Sequence, residues 1–100
     1  MRVLAEELTK EIKIEDEIVT IKKRSGADDL EISKVLKEDA SEIGMKIIGI
    51  SIVKWTFKDK DGKLLPITRD IFLKLRADIL NKIISEITAF NTLDNEEIKN

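Results

Sequence analysis

Ser41–Lys54, SEIGMKIIGISIVK, is the stretch whose reading decides the fold. Ile43, Ile47 and Ile50 recur at helical spacing, whereas Ile48, Ile50 and Ile52 alternate as a strand would, so two periodicities overlap in one segment. Gly44, Gly49 and the run of β-branched residues weigh against a helix. Ser41 followed by Glu42, by contrast, makes a good first helical turn, and apolar residues on both faces suit a central, buried helix. The residues alone leave both readings standing.

The flanks are plainer. Upstream, EIKIEDEIVTIKKR (11–24) sets Ile12, Ile14, Ile18, Val19 and Ile21 in a mostly alternating pattern interrupted at Glu15-Asp16-Glu17, which predicts a β-hairpin of two short strands. Ser25-Gly26 ends it, and Asp28 or Asp29 can cap a short helix over 28–38 that carries Leu30, Val35 and Leu36 inward. Downstream, Pro66 stops what precedes, Thr68 can cap with its hydroxyl and Asp70 sits in the first turn of a helix expected over 68–90. That helix is either continuous or broken near Arg76-Ala77-Asp78, with Asp78 capping the second piece. At about 100° per residue, Leu75, Ile79, Leu80, Ile83, Ile84, Ile87 and Phe90 cover roughly half its circumference, wider than the ~100° stripe of a surface helix. Residues 91–100, NTLDNEEIKN, are expected to form a flexible polar tail.

These elements, with no internal repeat or linker, predict one domain over residues 1–90 of the α+β class, mainly helical, an N-terminal β-hairpin packed with about three helices. A composition 42% hydrophobic and 38% charged is that of a folding, strongly ionised chain. Lys and Arg number 18 against 20 Asp and Glu, so no global field steers the protein to nucleic acid or an anionic membrane. The chain has neither Cys nor His. Disulfides, Cys-ligated metals and every Ser-His or Cys-His nucleophile are thereby excluded, and neither an enzyme activity nor a cofactor is expected. No uncharged run is longer than IIGISIV (47–53), far short of the ~20 residues that span a bilayer, and the acidic N-terminal stretch lacks a leader's apolar run, so a cytoplasmic protein is expected.

Of the polar clusters, DKDG at Asp59–Gly62 invites comparison with a calcium loop. With Gly62 at the turn position, however, the first ligand would be Phe57 and the closing acid Thr68, so a tight charged turn is the better reading. Asp28-Asp29 and Glu38-Asp39 read as caps and solvated faces, and KKR at Lys22–Arg24 as edge protection. Trp55 and Phe57, two apart, share a face with Val53 in an extended segment, either in the core or as a lip for a partner.

IVKWTFKDKDGKLLPIT followed by a Leu-bearing helix resembles a pattern in the tail assembly chaperones and related minor tail proteins of tailed phages and prophages. The matching residues are Trp55, Asp59, Asp61, Gly62, Leu65, Pro66, Thr68 and Leu75, and the preceding KIEDEIVTIKK hairpin suits the same layout. The segment before Trp55 departs from it, being rich in Ile and Gly where Ala and Leu are usual. The resemblance implies that residues 41–54 are a helix. It also implies a non-enzymatic cytoplasmic chaperone whose protein partner is the helical, aggregation-prone tape-measure protein. The surface that would receive such a partner comprises Trp55, Phe57, Leu80, Ile83, Ile84, Ile87 and Phe90, unless burial in the monomer core or a homo-oligomer covers it. The alternatives are a small adaptor or regulatory domain unrelated to phage, and a minor component that stays in the virion.

Overall fold

The computed structural model describes residues 3–99, with side chains described through Asn91. A single 3-10 turn (Ala5–Glu7) leads into strand β1 (Thr9–Ile14), which pairs antiparallel with β2 (Glu17–Lys22). Facing pairs run from Thr9 opposite Lys22 to Ile14 opposite Glu17, so Ile12 and Ile14 share a face with Val19 and Ile21, and all four are buried. Glu15 opens the two-residue turn at φ 55°, a position where glycine or asparagine is the usual occupant. The expected hairpin is therefore present, and the α+β class with it.

The Ser41–Lys54 ambiguity resolves by division. Asp39 caps α2 (Ala40–Ser51): its Oδ1 accepts from the Glu42 N–H at 3.0 Å and from the Ser41 hydroxyl at 3.0 Å. At Ile52 the backbone turns extended, and β3 (Ile52–Trp55) begins with no loop between. β3 completes a three-stranded antiparallel sheet in the order β1-β2-β3, with Trp55 facing Val19, Ile52 facing Ile21 and an irregularity between. The helix expected over 41–54 thus runs too far by its last three residues. β2 would otherwise bury the unpaired main-chain groups of its second edge, and β-branched Ile52 and Val53 suit the pairing that satisfies them.

α1 spans Gly26–Ser33, shorter than the expected 28–38. Ser25 caps it in a capping box, its Oγ accepting from the Asp28 N–H at 3.1 Å while the Asp28 carboxylate accepts from the Ser25 N–H at 2.8 Å. Of the three residues expected inward, Leu30 and Leu36 are 68% and 62% exposed and Val35 is half-buried, as is Ile32. The helix stops at Ser33, and turns carry the chain through Leu36, so the phase assumed over 28–38 does not persist.

After the connector 56–68, Thr68 caps α3 (Arg69–Lys74), and α4 (Ala77–Lys99) follows. The break falls at Leu75, whose ψ of 150° is extended. Asp78, expected to cap the second piece, lies one residue inside it, where its carboxylate accepts from Arg76 Nε at 3.0 Å and Nη2 at 2.6 Å. Arg76 Nη2 also meets Glu15 Oε1 at 3.1 Å, tying the helix break to the hairpin turn. α4 runs as helix to Lys99, through the tail expected over 91–100, of which the side chains beyond Asn91 lie outside the described residues. α2 and α4 cover one face of the sheet, and Ile48, Phe72, Ile83 and Ile87 join the hairpin residues in a single apolar cluster. Among the described residues no helix is long and apolar enough to cross a membrane.

Candidate interaction groove

Trp55 holds the connector to the core. Its indole N–H donates to the Leu65 carbonyl at 2.8 Å, and its ring lies 5.1 Å from Phe57 and, edge-on, 5.9 Å from Phe72. Beyond Phe57 the chain doubles back: Lys58 bridges to Leu64, and the Leu65 N–H donates to the Phe57 carbonyl at 2.9 Å. Asp59 organises that turn, its Oδ1 accepting from the N–H groups of Asp61 (2.8 Å) and Lys63 (3.0 Å), and Gly62 supplies the φ of 81°. The carboxylate therefore serves the backbone, and no group of three acids suited to a metal ion occurs among the described residues.

The seven residues singled out as a partner surface do not form one. Trp55, Phe57, Ile83 and Ile87 are buried in the core, and Leu80 and Phe90 pack half-buried against it. Only Ile84, at 38%, is exposed. Phe90 has a different neighbour from the one expected: the buried Lys23 ammonium lies 4.5 Å above its ring and donates to its carbonyl at 2.6 Å.

A surface concavity lies elsewhere, in a groove of about 580 Å³ between α2, the turn after α1 and the start of α3. Met45, Gly49, Ile50 and Phe72 give it an apolar floor, with Val35 and Ile67 at its flanks. Glu38, Glu42, Lys46 and Arg69 line it with charges of both signs. A Cβ at Gly49 would meet the Phe72 ring at 3.6 Å, an ordinary contact, so its absence leaves the floor open without being sterically required. Arg69 clasps Glu42 through both guanidinium branches, its Nε donating to Glu42 Oε2 at 3.1 Å. The Glu42 hydrogen bond raises the Arg69 pKa, and the Glu42 N–H at the α2 cap holds Asp39 below the usual carboxylate range. These charged groups line the groove together with its apolar residues. Sequence reading missed it because its residues come from three separated segments. The signal was nevertheless present: once α2 is taken as a helix, Glu42, Met45, Lys46 and Gly49 fall at i, i+3, i+4 and i+7 on one face.

In the last turn of the same helix, the Ser51 hydroxyl is fully buried and, among the described residues, has no hydrogen-bond partner. No protein-family model, curated protein or solved structure matches this chain.

Proposed function

We propose that the chain is a non-enzymatic protein-binding factor of tailed-phage or prophage morphogenesis, an assembly chaperone that receives an amphipathic helix of the tape-measure protein in the α2–α3 groove. The observation that carries the binding mode is the groove itself: an open apolar floor flanked by charges of both signs, the form that helix-in-groove recognition uses. The resemblance around Trp55–Thr68 supplies the class of partner. The host cytoplasm, where tails assemble, is the compartment this reading requires.

Co-expression with the tape-measure protein tests it. The partner should become soluble and co-purify with the wild-type chain. Gly49→Glu should abolish that rescue while leaving the fold intact, since a Cβ at 49 meets the groove-lining Phe72 ring at no more than ordinary contact and glutamate favours the helix over glycine. A tape-measure protein that stays insoluble and unbound removes the chaperone reading; binding undiminished in Gly49→Glu removes the groove.

A further inference from the structure

The open edge of β1 is self-complementary, and its phase can be read from its neighbours. The Lys23 N–H donates to the Leu8 carbonyl at 3.0 Å. Ile18 turns both main-chain groups toward the other side of β2, accepting from the Thr56 N–H at 3.0 Å and donating to Thr56 Oγ1 at 2.9 Å. In an antiparallel ladder, hydrogen-bonded and non-bonded pairs alternate. Leu8, Lys10, Ile12 and Ile14 therefore direct their N–H and C=O groups at β2, whereas Thr9, Glu11 and Lys13 direct theirs away from the sheet.

Among the described residues, none of those outward groups has a hydrogen-bond partner, and all three residues are exposed. Glu11 and Lys13 project on the face opposite buried Ile12 and Ile14, and among the described residues neither side chain makes an ion pair. Lys10, by contrast, is engaged by Glu86 of α4 at 2.9 Å.

We infer that this edge pairs with the β1 edge of a second copy of the chain, antiparallel about a twofold axis through Ile12, to form a continuous six-stranded sheet. Charge selects the register. An axis through Glu11 would oppose Glu11 to itself, and one through Lys13 would oppose Lys13 to itself. The axis through Ile12 sets Glu11 of each chain against Lys13 of the other. That register also faces outward-directed main-chain groups with outward-directed groups, giving two N–H to C=O bonds for each Glu11–Lys13 pair, with the two side chains adjacent on the open face. An interface this small makes a weak, concentration-dependent and salt-sensitive dimer.

Sedimentation velocity over a concentration series, with circular dichroism to verify folding, tests the pairing through charge exchange. Glu11→Lys and Lys13→Glu should each weaken self-association at least about tenfold, as like charges directly opposed destabilise a strand pair. An equimolar mixture of the two variants should dimerise, because every facing pair is then opposite in charge, and the double variant E11K/K13E should recover the wild-type constant. A wild-type chain that stays monomeric throughout the series overturns the inference. So does a dimer that tolerates either single exchange, or single variants that fail to associate when mixed.

Discussion

Trp55→Phe tests whether the indole, rather than generic apolarity, fixes the connector to the core. The substitution removes the N–H that donates to the Leu65 carbonyl at 2.8 Å. Leu65 is half-buried, so water can reach its carbonyl in part, and the loss is about 1 kcal/mol rather than the full cost of a sealed, unsatisfied acceptor. It also withdraws two to three ring atoms from a site only 4% exposed, at ~0.8 kcal/mol per buried carbon, while the contacts with Phe57 and Phe72 are partly kept. The sum is roughly 2–3 kcal/mol, which for a domain of this size lowers Tm by about 10–20 °C. The assay is urea denaturation followed by far-UV circular dichroism, since the variant has no tryptophan left to fluoresce. A midpoint change worth less than about 0.5 kcal/mol would show that phenylalanine serves equally well and would refute the anchoring role.

The remaining expectations concern buried polarity, caps and acid. Ser51→Ala should stabilise the protein by about 0.5–2 kcal/mol in the same titration, because a buried hydroxyl with no partner among the described residues is lost and alanine favours the last turn of α2. Ser25→Ala dismantles the capping box of α1 and should cost about 1 kcal/mol, whereas Ser25→Asp, which retains an acceptor, should cost less. For acid, Lys10 and then Lys82 depress the Glu86 pKa below its ordinary 4.5. Burial pushes Asp28 upward, but the Lys22 ammonium and the Ser25 cap outweigh it and leave the net value below 3.8. Both groups bind protons more readily unfolded, so their contribution is present above those ordinary values and is lost as pH falls through the lower folded ones. Denaturation midpoints measured across that range should fall with acidification, and Asp28→Asn with Glu86→Gln should flatten the decline.

The sequence made legible those elements whose signals are local. Ile12, Ile14, Val19 and Ile21 alternate around an acidic break, and each local preference agrees with the face it buries. Thr68 and Asp70 marked the start of α3 for the same reason. β3 was hidden because Ile52 extends both the helical spacing from Ile48 and the strand alternation from Ile50; only the position of β2's second edge decides between them. The groove was hidden because no single segment contains it.

The over-wide apolar face, which suggested a partner surface on residues 68–90, has a similar origin. Measured along one continuous helix, Leu75 to Ile84 subtends roughly 180°. Leu75, however, is the extended residue that ends α3, and it enters the core from a different axis. Without it, the apolar arc of α4 narrows to roughly 140°, centred near Ile83 and Ile87, with Ile79 on one flank and Ile84 on the other. The sheet and α2 cover all of this arc except the Ile84 margin. The apparent surplus was the sum of two elements counted in one phase. The break at Leu75, pinned by Arg76 to both Glu15 and Asp78, turns it into core. On the proposed reading, the apolar area for a partner is the groove where three segments meet around Gly49, not a face of the longest helix.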